Sequence, residues 1–176
     1  MEIATLSPDC AKDPRLAADI ADLINEVYAV AEEGLWVENA TRTTRAEIAA
    51  LIASGEITVA RDGDQIVGCV RIQHLDPDTS EFGMLAAAFA KRSLGVGREL
   101  VSFAERKCLD SGRRTMQLEL LVPRAWSHPA KEFLAQWYGR LGYVVIRRGT
   151  IDETYPHLAP LLATPCDFVI YRRDLT

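Results

Sequence analysis

The sequence predicts an α+β fold, in which about four helices flank a central mixed, mostly antiparallel sheet of about seven strands. Two observations support this prediction. Segments in which polar and apolar residues alternate are typical of strands, and segments with apolar residues three or four positions apart are typical of amphipathic helices. The two kinds of segment follow one another along the chain in the order strand, two helices, three strands, helix, strand, helix and two strands.

The composition indicates one domain over residues 1–176 that binds small ligands. With 48% hydrophobic and 26% charged residues, a chain of 176 residues can bury one core but hardly two. The net charge of −5 disfavours a nucleic-acid partner, because such proteins carry a basic face. The sequence has no membrane-length apolar stretch, no signal-peptide pattern and no Cys-x-x-Cys pair among its four cysteines. We therefore expect a cytoplasmic protein with no membrane partner.

Local signals mark the first elements. Residues 2–6 alternate as a short strand, and apolar residues from Leu16 to Ala31 share one helical face. Thr44 and Glu47 match a capping box, in which two side chains satisfy orphan amides at the start of a helix. The second helix is therefore expected to begin at Thr44.

Strand patterns dominate from residue 56 onwards. Residues 56–61 and 65–73 alternate on both sides of Asp62-Gly63-Asp64, which predicts a hairpin, and residues 81–87 are predicted to form a central strand. The remaining strands are predicted at 115–122, 143–147 and 168–172. A last helix is expected to start at Ser127-His128-Pro129 and to bury Phe133, Leu134, Trp137 and Leu141.

A glycine-rich loop joins the predicted strand at 81–87 to the next helix. The loop reads Arg92-Ser93-Leu94-Gly95-Val96-Gly97 and is flanked by Lys91 and Arg98. Unpaired amides and the positive end of a helix dipole favour an anion there, so the pattern predicts a phosphate ester as ligand. The loop lacks the third glycine of a dinucleotide-binding fingerprint and the Gly-Lys-Ser/Thr end of a Walker loop. A tight loop without a ligand is the alternative.

These residues resemble the acetyl-CoA-binding motif of the GNAT superfamily of N-acyltransferases. The match covers Glu81-Phe82-Gly83-Met84-Leu85-Ala86 followed by Arg92-x-x-Gly95-x-Gly97. A second match is Tyr138 in Trp137-Tyr138-Gly139-Arg140-Leu141-Gly142-Tyr143, which resembles the family's junction between its last helix and the following strand. The element order also fits, so the resemblance extends over nearly the whole chain.

The resemblance implies acetyl-CoA as co-substrate. Loop amides would hold its pyrophosphate, strand residues would hydrogen-bond the pantetheine, and the Leu85 amide would stabilise the developing oxyanion. The implied cofactor-binding residues are Leu85, Ala86, Ala87, Arg92, Ser93, Leu94, Gly95, Val96, Gly97 and Arg98.

The resemblance also implies two catalytic residues. Glu81 lies where some family members carry a general base, and Tyr138 matches the usual proton donor to the leaving thiolate. The alternatives are a solvent-facing glutamate at a strand start and a core aromatic residue on a helix face.

The sequence departs from the family pattern in two places. Phe89 and Ser93 stand where proline and glycine are frequent, and residues 123–128 replace an asparagine often found after the fifth strand. How the pantetheine is held near that strand is therefore left open.

The acceptor pocket is expected between the first two helices and the last strands. The candidate residues are Tyr28, Glu32, Glu33, Trp36, Asp152, Glu153, Tyr155 and His157. Their acids would attract a cationic amine, with a solvated acidic face as the alternative.

Two other clusters are interpreted as structural. His74-x-Asp76-x-Asp78 is typical of a turn rather than a metal site, and Cys108 on an apolar helix face is typical of packing rather than of a nucleophile. No metal is expected.

The sequence as a whole predicts an acetyl-CoA-dependent N-acetyltransferase that acts on a primary amine by direct attack. A non-catalytic GNAT-fold module that binds or senses acyl-CoA is the alternative. A homodimer would be the commonest assembly for a soluble protein, and the acceptor's identity is left open.

Overall fold

The computed structural model describes residues 1–176 and contains a seven-stranded sheet in the order β1-β2-β3-β4-β5-β7-β6. Every neighbouring pair is antiparallel except β4 with β5, which confirms the predicted mixed, mostly antiparallel sheet. The strands are β1 (Glu2–Thr5), β2 (Ile57–Asp62), β3 (Gln65–His74), β4 (Thr79–Ala87), β5 (Thr115–Pro123), β6 (Val144–Gly149) and β7 (Cys166–Asp174).

Four α-helices cover the two faces of this sheet, as predicted. They are α1 (Pro14–Ala31), α2 (Arg45–Ala53), α3 (Val96–Asp110) and α4 (Pro129–Arg140). One apolar cluster lies under α1 and α2, and a larger one lies under α3 and α4. No helix has both the length and the hydrophobicity that a membrane crossing requires.

The capping box at the start of α2 is only half formed. The Thr44 hydroxyl accepts a hydrogen bond from the Glu47 amide at 3.1 Å, as predicted. The Glu47 carboxylate instead accepts a 2.6 Å hydrogen bond from the Thr43 hydroxyl. Because this nearby hydroxyl donor engages the carboxylate, Glu47 does not complete the box.

The buried face of α4 differs from the prediction. Phe133 is 60% exposed, whereas Lys131 and Tyr138 are buried and Leu134 is partly buried. The inward face runs through positions 131, 134 and 138, at spacings of three and four, so Phe133 points away from it. Phe133, Trp137 and Leu141 also repeat every four positions, so spacing alone does not distinguish this set from the face that is buried.

The parallel strands β4 and β5 separate soon after they begin. They pair only between Thr79–Glu81 and Thr115–Gln117. Beyond this point β4 contains a bulge, with Met84 at a φ of 49° and a register shift against β3. Bulges bend a strand and increase its twist, so the end of β4 leaves the line of β5. A cleft with unpaired strand edges results.

A buried ion pair joins the end of α1 to the start of α4. Lys131 Nζ lies 2.5 Å from Glu32 Oε2, and the two side chains are 4% and 7% exposed. The Trp36 indole donates a hydrogen bond to the other Glu32 oxygen at 3.2 Å. Glu32 is therefore a structural residue, and the expectation that its charge faces an amine acceptor was wrong.

This pair generates a prediction about stability. Lys131→Met should lower the free energy of unfolding by about 3 to 5 kcal/mol, because it leaves the Glu32 carboxylate buried without a cation. Adding Glu32→Gln should recover most of the loss, and urea denaturation measures both. Lys12→Met, which removes a pair with 85% and 88% exposed side chains, is the control without effect. If Lys131→Met matches the parent in stability, the pair contributes nothing.

Candidate active site

The start of α3 presents free backbone amides. Gly95 lies in the left-handed region at a φ of 73° and caps the helix without a side-chain hydrogen bond. The amides of Val96, Gly97 and Arg98 have no hydrogen-bond acceptor within the protein. The helix begins at Val96, so Gly97 lies in its first turn rather than before it, as the sequence had suggested. Free amides at the start of a helix favour an anion.

A glycine in β3 allows α3 to approach the sheet closely. A Cβ atom on Gly68 would lie 2.6 Å from Val96 Cγ1 and 3.0 Å from both the Ala86 carbonyl oxygen and Leu100 Cδ1. A larger residue would require the Val96 side chain or its neighbours to shift. Gly68 therefore helps to set the distance between the start of α3 and the end of β4, a role that the sequence alone did not reveal.

The three cations predicted around the loop have different environments. Lys91 forms a 2.8 Å ion pair with Asp62, and the Arg92 guanidinium lies 4.3 Å from the centre of the Phe89 ring. Both side chains already have partners in the protein. Arg98 instead faces a groove of 270 Å³.

That groove runs beside the start of α3 and carries excess positive charge. Arg98, Arg140 and Arg173 line it, against the single acid Glu105, which accepts a 2.8 Å hydrogen bond from Arg173. Arg140 was not among the predicted site residues. The positive charge of this groove therefore favours anions along the surface beside the helix start.

The end of β4 provides the small residues that the sequence indicated. Ala86 is buried, and Leu85 and Ala87 are partly buried. The Leu85 amide lies near the hydroxyl of Tyr28, which belongs to α1. Burial raises the pKa of Tyr28 to about 12, while the charge of Arg42 and the Leu85 amide act in the opposite direction. The Leu85 amide thus faces the side of the cleft that α1 borders.

Glu81 lies at the centre of a row of hydrogen bonds across the sheet. It is 5% exposed, which excludes the solvent-facing alternative. Gln73 and Gln117 donate to its two carboxylate oxygens at 2.9 and 2.6 Å. Arg71 and Arg172 donate in turn to the carbonyl oxygens of the two glutamines at 3.1 and 2.8 Å. Every N–H group in this row donates in the direction of Glu81, and these hydrogen bonds stabilise the negative charge of its carboxylate.

Glu119 lies beside Glu81 and was missed at the sequence level. Burial raises the pKa of Glu119 to about 7, and the negative charge of Glu81 acts in the same direction. The Tyr155 hydroxyl, which donates to Glu119 at 3.0 Å, lowers that pKa. A lone acid between Leu118 and Leu120 in an apolar strand was the available signal. Two adjacent carboxylates in different environments favour one charged and one proton-exchanging group.

Tyr138 lies on the opposite side of the cleft, in the core between α4 and the sheet. Its ring packs against Phe82, Trp137, Tyr143 and Tyr171 at centroid distances of 5.1 to 6.3 Å. Burial raises the pKa of Tyr138, so the phenol stays protonated at neutral pH. Its hydroxyl makes no hydrogen bond within the protein.

The expected acceptor residues separate into two groups. Tyr155 donates to Glu119, Tyr28 lies beside Arg42, and the positive charge of Arg42 lowers the pKa of all three groups. The others do not join them. Glu33, Asp152, Glu153 and His157 are exposed, and Glu153 pairs with Arg147 on the surface, while Trp36 bonds to Glu32.

The segment after β5 contains a buried histidine in place of the expected asparagine. His128 Nε2 lies 3.0 Å from the Glu33 carbonyl oxygen, and its ring stacks on Trp126 at 5.5 Å. Because a carbonyl can only accept, Nε2 carries the proton. Nδ1 is buried without a partner, so a neutral ring leaves it as an unused acceptor.

The other clusters are structural, as interpreted from the sequence. The Asp76 carboxylate accepts hydrogen bonds from the amides of Asp78 and Thr79 at 2.8 and 2.7 Å, which is a turn. No group of acids, histidines and cysteines could hold a metal ion. Cys108 is buried and its thiol contacts the Thr115 carbonyl oxygen.

The family model of the acetyltransferase (GNAT) domain matches residues 53–145, which is more than half of the chain. The match includes the strand, glycine loop and helix described above, and extends through Tyr138. The protein belongs to the GNAT acetyltransferase family. A comparison with curated protein sequences found no match.

Solved structures share the fold over the full chain. An aminoglycoside 6'-N-acetyltransferase complexed with coenzyme A has a TM-score of 0.72 at 16% identity, covering 100% of this chain and 98% of its own. The aminoglycoside 6'-N-acetyltransferase from Enterococcus faecium has a TM-score of 0.70 at 15% identity, with coverage of 100% and 98%. The protein yncA from Salmonella typhimurium, solved with its cofactor acetyl-CoA, has a TM-score of 0.66 at 14% identity, with coverage of 100% and 94%.

Proposed function

We propose that the protein is an N-acetyltransferase that moves the acetyl group of acetyl-CoA to a primary amine of a small molecule or peptide. One observation carries the proposal: free amides at the start of α3 adjoin the cleft between β4 and β5. Glu119 lies on one side of this cleft, and Tyr138 lies in the core on the other side. Family membership supports the acetyl transfer. Neighbouring structures named as complexes with coenzyme A or acetyl-CoA support the choice of co-substrate.

The cofactor would bind from the helix terminus into the cleft. The amides of Val96, Gly97 and Arg98 receive the pyrophosphate, and the groove at Arg98 and Arg140 offers positive charge for further phosphate. The unpaired edge of β4 near Leu85–Ala87 bonds the pantetheine amides as a neighbouring strand would. The thioester then lies where β4 and β5 part.

The acceptor must lose a proton before it attacks, because an amine of pKa near 10 is mostly protonated at neutral pH. Glu119 is the general base in this proposal, in place of the Glu81 that the resemblance implied. Both oxygens of Glu81 already accept hydrogen bonds. Glu119 instead has a pKa of about 7 and accepts one hydrogen bond from a phenol, the Tyr155 hydroxyl. Glu81 acts through its charge, which makes Glu119 a stronger base.

The transfer forms one bond and breaks another. The amine nitrogen forms a bond to the thioester carbon, and the carbon–sulfur bond breaks. Glu119 takes the proton that the ammonium loses before attack, and the Leu85 amide stabilises the oxyanion. Tyr138 gives its proton to the departing thiolate, and the second proton that the nitrogen loses after attack restores the phenol. The products are an N-acetyl compound and the free thiol. Burial raises the pKa of Tyr138, so the phenol still carries its proton at neutral pH when the thiolate departs.

Glu119→Gln tests the base. Parent kcat/KM should rise with pH through about 7, since Glu119 accepts a proton only when ionised. At pH 8, kcat/KM of the variant should be roughly 10²-fold to 10⁴-fold lower than that of the parent, and it should not rise near pH 7. Thiol release from acetyl-CoA across an amine panel measures both.

Glu81→Gln is the companion variant in this experiment. Without the Glu81 charge, the pKa of Glu119 should fall. The rise in kcat/KM should then occur at lower pH, and activity at pH 8 should be kept. If Glu81→Gln abolishes turnover while Glu119→Gln keeps it, Glu81 is the base. If the parent binds acetyl-CoA yet acetylates no amine in the panel, the protein is a binding module.

Tyr138→Phe tests the proton donor. Turnover should fall roughly 10²-fold to 10⁴-fold while the affinity for acetyl-CoA stays nearly constant, because only the hydroxyl is lost. Tyr143→Phe is the matched control: it removes a buried hydroxyl that bonds to Glu105 instead. Equal rates for parent and Tyr138→Phe would remove Tyr138 from the mechanism.

Gly95→Glu tests the anion site. The change puts negative charge and a strained backbone at the helix start, so acetyl-CoA binding should fall below detection by calorimetry. Gly55→Glu is the control, because Gly55 has a similar φ of 72° and open space but lies at the end of α2. Unchanged binding in Gly95→Glu would mean that the cofactor binds elsewhere.

A further inference from the structure

Arg42 borders the acceptor side of the cleft and has no acidic partner in contact. It precedes α2, and its guanidinium lies 5.3 Å from the centre of the Tyr28 ring. The side chain is half-buried and forms no hydrogen bond or ion pair within the protein. Its hydrogen-bond donors are therefore available to a ligand.

The backbone beside Arg42 is fixed. Asn25 donates a 3.1 Å hydrogen bond to the Thr43 carbonyl oxygen and accepts one of 3.0 Å from the Thr43 amide. Thr43 is 3% exposed, and its hydroxyl donates to Glu47. A clamp of this kind holds the loop against α1, so Arg42 stacks on Tyr28 from a defined position.

The charged and titratable groups facing Arg42 come from three other elements. They are Tyr28 on α1, Glu119 on β5 and Tyr155 between β6 and β7, and the positive charge of Arg42 lowers the pKa of each. The two phenols are neutral at pH 7. Glu119, whose pKa burial and the Glu81 charge raise, accepts a hydrogen bond from Tyr155, and no carboxylate forms an ion pair with Arg42.

We propose that the acceptor is an amino carboxylate: its amine faces Glu119 and its carboxylate binds the Arg42 guanidinium above Tyr28. The assignment rests on the proposed acetyl transfer and specifies its substrate class. An unpaired guanidinium favours a carboxylate through charge-assisted hydrogen bonds in a fork geometry. A polycation would instead meet Arg42 as a like charge at the site where its amine must react.

Matched acceptors test the class. L-amino acids and ω-amino acids are compared with their own primary amides and with the polycation kanamycin, and thiol release from acetyl-CoA gives kcat/KM for each. The acids should exceed their amides by at least tenfold. The amides test the preference for acids strictly. Their amines are less basic, so a larger fraction is unprotonated and able to attack, which favours the amides if the carboxylate has no role.

Arg42→Gln should raise KM for the acids by roughly 10-fold to 100-fold, the effect of one charge-assisted hydrogen bond, with little change in kcat. KM for the amides should stay nearly constant. Arg45→Gln, at an exposed arginine three positions away, is the control and should change neither. Arg42→Glu should reverse the order and favour amides and kanamycin, which keeps the test informative if one variant folds poorly.

The outcomes separate the two proposals. If amides or kanamycin react as fast as the acids, the acetyl transfer stands and the amino carboxylate class is wrong. The class is equally wrong if Arg42→Gln raises KM for acids and amides alike. If no acceptor releases thiol while acetyl-CoA binds, the proposed activity fails and the acceptor class fails with it.

Discussion

The parting of β4 from β5 is the constraint on which the rest of the molecule depends. Three residues of each strand are paired, and a bulge at Met84 then turns β4 away. Backbone groups on both inner edges lose the partners that a continuous sheet would supply, and buried backbone groups need hydrogen bonds. Helix α3, which follows β4, also begins beside the end of that strand, with free amides at its start. A ligand with amide groups and an anionic end satisfies both features.

Charge around the cleft is divided between two neighbouring glutamates. Glutamine donors fill both oxygens of Glu81, and arginines behind the glutamines reinforce its charge. Glu119 has one phenol donor and lies next to that fixed anion, so its proton leaves only near neutral pH. The row of hydrogen bonds across the sheet thus has an electrostatic effect beyond its own stability, because the Glu81 charge that it stabilises raises the pKa of Glu119.

The features that the sequence predicted are local in the chain. Gly95 and Gly97 mark a loop before a helix, and Tyr138 stands in a short motif, so both are visible within a few residues. Glu119 becomes notable only beside Glu81, and Arg42 only above Tyr28, through contacts between distant parts of the chain. Glu32 was misjudged for the same reason, because its partner Lys131 lies 99 residues away. Spacing along the sequence carries no information on such pairs.

The two sides of the cleft therefore depend on different features of the sequence. Structures at 14% to 16% identity keep this fold over the full chain, so its backbone arrangement tolerates wide replacement of side chains. The cofactor side depends mainly on backbone amides and on glycines that permit close approach, which little sequence specifies. The side on which we propose that the acceptor binds depends on side chains such as Arg42 and Tyr155, which lie between elements, where substitutions are readily accommodated. The proposed acceptor preference therefore depends on charges particular to this chain, above all on the Arg42 guanidinium, which forms no ion pair within the protein.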